Sequence, residues 1–249
     1  MAGKLENKVC IVTGATSGMG KAIAEIFSKE GAKLVLSGRN RDRGKALTDQ
    51  FGEAIFLPGD VSTPQYNELL VEEAIRSFGG IDILSLNAGI LGLGNVISLP
   101  IEKWHKTLDT NLSAIFYISK YAIPYLQKSE GNMLINASIA AFKSFPNHPA
   151  YCASKSASLA LMKQMAVEYG PKIRVNAICP GPVDTPLLQR SAKAFKNPES
   201  ALQDASDATL MKRLGTPLDI AKLALFLVSE EASWMTGTAV TIDGGIINA

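Results

Sequence analysis

The chain has 249 residues, 25 Lys+Arg against 23 Asp+Glu, with 47% hydrophobic and 19% charged residues. These values lie near soluble globular averages and exclude disordered, collagenous and disulfide-scaffold classes. A formal net charge of +2 creates no single-sign field, so neither nucleic acid nor an anionic membrane is expected as a partner.

In chain order, short β-branched runs alternate with amphipathic stretches. Val9–Thr13 is an apolar strand; a glycine-rich turn and a helix through Ile23, Ile26 and Phe27 follow, and Gly31 can stop that helix as a left-handed cap. Lys33–Ser37 is the second strand and Arg41–Gln50 the second helix. Ala54–Leu57 is the third strand, and Thr63–Phe78 is helical with Pro64 in its first turn. Ile81–Leu86 and Asn132–Asn136 read as the fourth and fifth strands, separated by a helical region from Ile101 to Lys128. Tyr151–Tyr169 is a helix, Ile173–Cys179 and Ala239–Ile242 are the sixth and seventh strands, and Asp219–Val228 is a helix between them. The alternation predicts an α/β fold: one Rossmann-type, doubly wound parallel sheet of about seven strands with helices on both faces. No composition shift or repeat divides it, so a single domain over 1–249 is expected, with Leu187–Leu214, the least regular stretch, as a mobile flap over a site.

Apolar runs such as Ile81–Leu86 and Met133–Ala137 fall well below the roughly 20 residues that span a bilayer. The start has no apolar stretch of signal-peptide type and no glycine directly after the initiator, which leads us to expect a cytoplasmic protein. Cys10, Cys152 and Cys179 are widely separated and read as three small buried hydrophobes rather than a disulfide or metal framework.

The turn Thr13-Gly14-Ala15-Thr16-Ser17-Gly18-Met19-Gly20 joins the first strand to the first helix. Glycines there let backbone approach a ligand, and a helix N-terminus offers unpaired N–H groups and positive dipole to a pyrophosphate. Dinucleotide folds commonly hold the adenosine ribose with an acidic residue about 20 residues further on, whereas arginine accommodates a 2′-phosphate. Here that stretch is Ser37-Gly38-Arg39-Asn40, without a carboxylate. Arg39 can pair with phosphate while Ser37 and Asn40 add hydrogen bonds, so NADP(H) is favoured, with NAD(H) the alternative. Further along, Tyr151 and Lys155 fall one turn apart on one helix face, where the cation can lower the phenol pKa. Ser138 follows the fifth strand, at the carboxyl edge where such sheets bind ligands. Asn111 is a mediocre helix former inside the long helical region and predicts a local kink.

Taken together, Thr-Gly-x-x-x-Gly-x-Gly, Asn87-Ala88-Gly89, Asn111, Ser138, Tyr151-x-x-x-Lys155 and Pro180-Gly181 resemble the short-chain dehydrogenase/reductase family over essentially the whole chain. The resemblance implies that Tyr151 is the general acid of carbonyl reduction and the base of alcohol oxidation, that Ser138 orients the carbonyl, and that Lys155 also binds the nicotinamide ribose. It implies that Asn111 holds a water relaying protons from Lys155, that Asp60-Val61 faces the adenine, and that Asn87-Ala88-Gly89 runs beside the cofactor. Pro180, Gly181, Val183 and Thr185 would contact the nicotinamide carboxamide. The family's homotetramer, built through the helices carrying Asn111 and Tyr151 and through the C-terminal strand, is likewise expected.

Substrate-lining candidates are Ile90, Leu91 and Leu93 after the fourth strand, Ala140, Phe142, Phe145 and His148 before Tyr151, and Leu187 and Leu188 in the flap. They are mostly apolar and suggest a ketone or secondary alcohol with a sizeable hydrophobic body. His148 reads as a loop residue satisfied by backbone, and Trp104 and His105 as surface. A 3-oxoacyl-[acyl-carrier-protein] reductase is an alternative, kept open by Lys193, Lys196, Lys212 and Arg213. A non-catalytic NADP-binding regulator is the alternative of another class, and an epimerase or dehydratase with tightly held nicotinamide a third.

Overall fold

The computed structural model describes residues 3–249; residues 1 and 2, on which part of the reading of the chain start rests, lie outside them. Seven strands form one sheet: β1 (Val9–Thr13), β2 (Lys33–Gly38), β3 (Ala54–Pro58), β4 (Ile83–Leu86), β5 (Asn132–Asn136), β6 (Arg174–Pro180) and β7 (Ala239–Ile242). Their spatial order is β3-β2-β1-β4-β5-β6-β7 and every pairing is parallel. Successive strand side chains point to opposite faces. Ile11, Val35, Leu84 and Ile135 therefore enter one apolar cluster, and their neighbours Cys10, Leu34, Ile83 and Leu134 enter another across the sheet.

The first cluster is closed by α3 (Pro64–Phe78), α5 (Ala114–Ser129) and α6 (Pro149–Tyr169), the second by α1 (Gly18–Lys29) and α9 (Pro217–Val228). Ile23 and Phe27 of α1 pack with Ile220 and Ala224 of α9 in the second cluster. Gly31 takes a φ of +86 just past the end of α1, as its sequence position suggests. The remaining helices are α2 (Arg41–Thr48), α4 (Ile101–Leu108), α7 (Pro186–Ala192) and α8 (Ala201–Ala208). α7 and α8 lie in the stretch read from sequence as irregular. They are only 7 and 8 residues long, too short to display a clear apolar period.

The kink expected near Asn111 is one π-helical turn, Asp109–Ser113, between α4 and α5. Cys10 and Cys179 are buried, whereas Cys152, beside Tyr151 at the start of α6, is only half-buried; all three are free thiols. Among the described residues no helix is long and apolar enough to cross a membrane, and no cluster of His, Cys, Asp and Glu could hold a metal ion.

The chain leaves β1 for β2 and β3 on one side and returns to β4 on the other. That reversal opens a crevice at the carboxyl ends of β1 and β4, which positions the site.

Candidate active site

Of the cavities at the carboxyl edge, one of about 170 Å³ and one of about 440 Å³ adjoin each other. They share Met19, Thr185 and Leu187 as wall residues, so they meet where β1 gives way to α1 and β6 to α7.

The smaller cavity is built on the glycine turn. Gly14 and Gly18 adopt φ of +64 and +54, the left-handed region that glycine tolerates. A Cβ on Gly14 would lie 2.9 Å from the Ala88 nitrogen, and one on Gly20 would lie 2.4 Å from the Gly14 carbonyl oxygen. The opposing wall is held by Thr13, whose hydroxyl accepts from the backbone N–H of Asn87 at 3.0 Å and of Ala88 at 3.3 Å. Ser17 is the N-cap of α1 but its side chain caps nothing, leaving the first N–H groups of the helix to the cavity. Thr16, Arg39, Asp60, Val61 and Gly89 complete the expected lining, and Gly38, Gly59, Ile90, Thr110, Pro186 and Arg190 join it without having been anticipated. Gly38, Gly59, Ile90 and Pro186 adjoin residues expected there, whereas Thr110 and Arg190 come from segments with no cofactor signal in the local sequence.

Ser37 lines this cavity but is fully buried, and its hydroxyl is paired with the Tyr66 hydroxyl at 2.8 Å; Tyr66 in turn donates to the Leu57 carbonyl at 2.6 Å. Asn40 is the N-cap of α2, its Oδ1 accepting from the Arg43 N–H at 2.8 Å. Arg39 therefore remains as the exposed group at this end able to meet a phosphate. Partial burial raises the Asp60 carboxyl, but bonds from Lys106 Nζ at 2.7 Å and the Ser62 N–H at 3.0 Å outweigh it and bring the pKa down to about 2.

A nicotinamide dinucleotide, the group the resemblance implies, fits these residues. The α1 N-terminus is uncapped, the glycines permit close approach, and Thr110 Oγ1 on the wall is buried without a partner.

Ser138 and Tyr151 both line the larger cavity. Ser138 follows β5 in extended conformation and caps a short 3-10 turn, its Oγ accepting from the Ala140 N–H at 3.1 Å. Tyr151 stands in the first turn of α6 and Lys155 one turn later, buried, with Nζ donating to the Asn136 carbonyl at 2.7 Å. The same burial moves the two groups in opposite directions, since each disfavours its charged form. It pushes the phenol of Tyr151 up to about 12 against the influence of Ser138, and brings Lys155 down to about 8 against the opposing pull of Cys179. The net shift of the Tyr151 phenol is therefore upward. Nζ lies 5.6 Å from the Tyr151 ring centroid, and desolvation dominates.

Asn111 sits in the π turn with its side chain buried. Oδ1 accepts from the Ile90 N–H at 2.8 Å, while Nδ2 donates to the Ile90 carbonyl at 2.9 Å and to Ser154 Oγ at 3.0 Å. Its amide thus clamps the loop after β4 to α6 beside Lys155. Pro180, Gly181 and Val183, expected at the cofactor, line the larger cavity near its junction with the smaller one, with Leu91, Ala140, Phe145, Leu187 and Leu188, which are joined by Phe195 and Leu202. Ile90 lies in the smaller cavity, Leu93 in neither, and Phe142 is 56% exposed.

His148 is buried and bonded more fully than expected. Nδ1 faces the Pro146 carbonyl at 2.5 Å, and Nε2 lies 2.8 Å from Ser191 Oγ on α7. A carbonyl only accepts, so Nδ1 carries the proton and Nε2 accepts from Ser191. Burial lowers the His148 pKa, with the Pro146 bond opposing.

The family model described as "Enoyl-(Acyl carrier protein) reductase" matches residues 14–247. An "Uncharacterized oxidoreductase" of Thermotoga maritima is 38% identical, the match covering 96% of this chain and 97% of the relative. A "3beta-hydroxysteroid dehydrogenase" of Mediterraneibacter gnavus is 35% identical, covering 98% and 96%. Among solved structures, a short-chain dehydrogenase/reductase described as glucose/ribitol dehydrogenase from Brucella melitensis superposes with a TM-score of 0.92 at 33% identity, covering 99% of both chains. L-Sorbose reductase from Gluconobacter frateurii, complexed with NADPH and L-sorbose, superposes with a TM-score of 0.92 at 33% identity over 100% of both. With its parallel sheet, glycine turn and Ser138, Tyr151 and Lys155 at one edge, the chain belongs to the short-chain dehydrogenase/reductase family of oxidoreductases.

Proposed function

We propose that this protein is an NADP(H)-dependent reductase that converts a ketone with a bulky apolar body into a secondary alcohol. The observation that carries the reading is the junction of the two cavities: a glycine-rich, arginine-bearing one meets an apolar one on whose wall stand Ser138 and Tyr151. A nicotinamide dinucleotide, when bound, supplies the hydride for reduction or accepts it in oxidation. Burial pushes the Tyr151 phenol up to about 12, so it carries a proton in the neutral range that it can give to a reduced carbonyl, with positive charge nearby needed to ease its loss. Ser138 Oγ donates to the same oxygen and stabilises the charge growing there. Lys155, fixed on the Asn136 carbonyl, provides positive charge one turn away as the phenol gives up its proton. Asn111 keeps the Gly89–Ile90 backbone in place beside them.

The NADPH complex of the similar L-sorbose reductase and Arg39 in the smaller cavity support NADP(H) over NAD(H). The apolar lining supports a hydrophobic substrate rather than an acyl-carrier protein. Arg213 is paired with Asp219 at 2.8 Å and Lys212 Nζ donates to the Asp207 carbonyl at 2.6 Å, so two of the four basic residues that favoured a carrier are engaged locally. The three unpaired thiols accord with a reducing, cytoplasmic setting, and we take the working form to be a homotetramer.

A panel of alicyclic, steroidal and acyl ketones, assayed with NADPH and NADH in parallel, tests the reading. Wild-type protein oxidises NADPH with at least one apolar ketone. Tyr151→Phe slows turnover by about 10²–10⁴ while still binding the nucleotide, and Arg39→Asp moves the preference towards NADH. A wild-type protein that binds NADPH but matches Tyr151→Phe across the panel favours a non-catalytic regulator.

A further inference from the structure

Arg190 is an exposed cation on α7 that enters none of the ion pairs among the described residues. The nearest carboxylate in sequence, Asp184, accepts instead from Gln189 Nε2 at 3.3 Å.

Helical spacing divides α7 between the two cavities. Residues four apart share a helix face. Pro186 and Arg190 line the cofactor cavity, whereas Leu188 and Ala192, with Ser191, line the substrate cavity. The start of α7 is fixed against the glycine turn. Thr185, its N-cap, is buried, accepts from the Leu188 N–H at 3.3 Å, and has its Cγ2 3.2 Å from where a Cβ on Gly18 would stand. Arg190 on α7 and Arg39 at the end of β2 thus both border the cavity into which the uncapped N-terminus of α1 opens.

We propose that Arg190 binds the diphosphate bridge of the nicotinamide dinucleotide, completing from the flap a phosphate site whose other half is the N-terminus of α1. The inference rests on the cofactor reading above. A guanidinium on one side and helix N–H groups on the other are complementary to two linked phosphates, which carry negative charge on both flanks. Because Ser191, the next residue, is hydrogen-bonded to His148 at 2.8 Å, the same short helix touches the cofactor cavity and the loop preceding Tyr151.

Fluorescence titration of NADPH and of NADH, without substrate, on wild type, Arg190→Ala, Arg190→Lys and Arg39→Ala tests this. Arg190→Ala should raise Kd about tenfold for both nucleotides by the same factor, as expected for one charge-assisted contact to a group they share. Arg190→Lys should fall between, keeping the charge without the planar fork, and Arg39→Ala should weaken NADPH alone. Unchanged Kd values in Arg190→Ala overturn the proposal. A loss confined to NADPH overturns it too, since it would assign Arg190 to the 2′-phosphate. So does a raised ketone KM with cofactor Kd intact. A wild type that binds neither nucleotide defeats the cofactor reading itself, an outcome distinct from these. Equal melting temperatures of the unliganded proteins confirm that the variants are folded.

Discussion

Lys155 is held where an ammonium is expensive: its burial takes it from 10.5 to about 8. The unfolded chain keeps a proton on this lysine up to pH 10.5, whereas the folded chain gives it up from about pH 8. Stability therefore rises with pH across that window, and the penalty is fully present below pH 8. For wild type relative to Lys155→Met, urea unfolding should show a gain of about 2 kcal/mol between pH 8 and pH 10. Cys179 and Tyr151, whose pKa values burial raises, lose stability as pH rises through the ranges in which they titrate, and a Cys179→Ala background removes the thiol that is coupled to Lys155. A flat difference would show that Nζ is better solvated than its contacts imply. The Tyr-x-x-x-Lys spacing was legible in sequence because it is local. The direction of the phenol shift was not, because it depends on what surrounds the ring.

At the scale of elements, the π turn carries the most information. An Asn within a helical run signals a break, and the extra residue in the turn swings that side chain onto the Ile90 backbone of a different segment. Asn111→Ala would remove the partners of the part-buried Ile90 N–H and C=O, each worth up to about 1–3 kcal/mol where water cannot reach it. We expect a loss of about 3 kcal/mol in chemical denaturation together with weakened nucleotide binding; a loss below about 0.5 kcal/mol would mean that water replaces the amide. Strands β1 to β7 were readable because each is a short apolar run whose neighbours in sequence face opposite clusters. α7 and α8 were not. Their side chains answer to a cavity rather than to a continuous core, so no apolar period marks them.

For the molecule as a whole, Leu69 on α3, Phe116 on α5, Leu218 on α9 and Trp234 ahead of β7 are each more than half exposed, Trp234 being 99% exposed. A dihedral tetramer uses two separate self-complementary faces. If the proposed homotetramer forms, light scattering should give about four times the 26.5 kDa chain mass. Phe116→Asp should yield dimers, because a charge desolvated at a packed face is costly. A wild type that runs as a monomer at micromolar concentration would sink the assembly.

The sequence alone determined the parallel sheet, the glycine turn at its switch point, and Ser138, Tyr151 and Lys155 at one edge, because periodicity and spacing are properties of neighbours along the chain. Only the tertiary structure decided which groups remain free at that edge. It pairs Ser37 with Tyr66, uses Asn40 as a helix cap, places Pro180 and Gly181 on the larger cavity and brings Arg190 to the smaller one. The physical reason is that a hydrogen bond or a cavity wall is completed by residues distant in sequence, and folding alone brings them within reach.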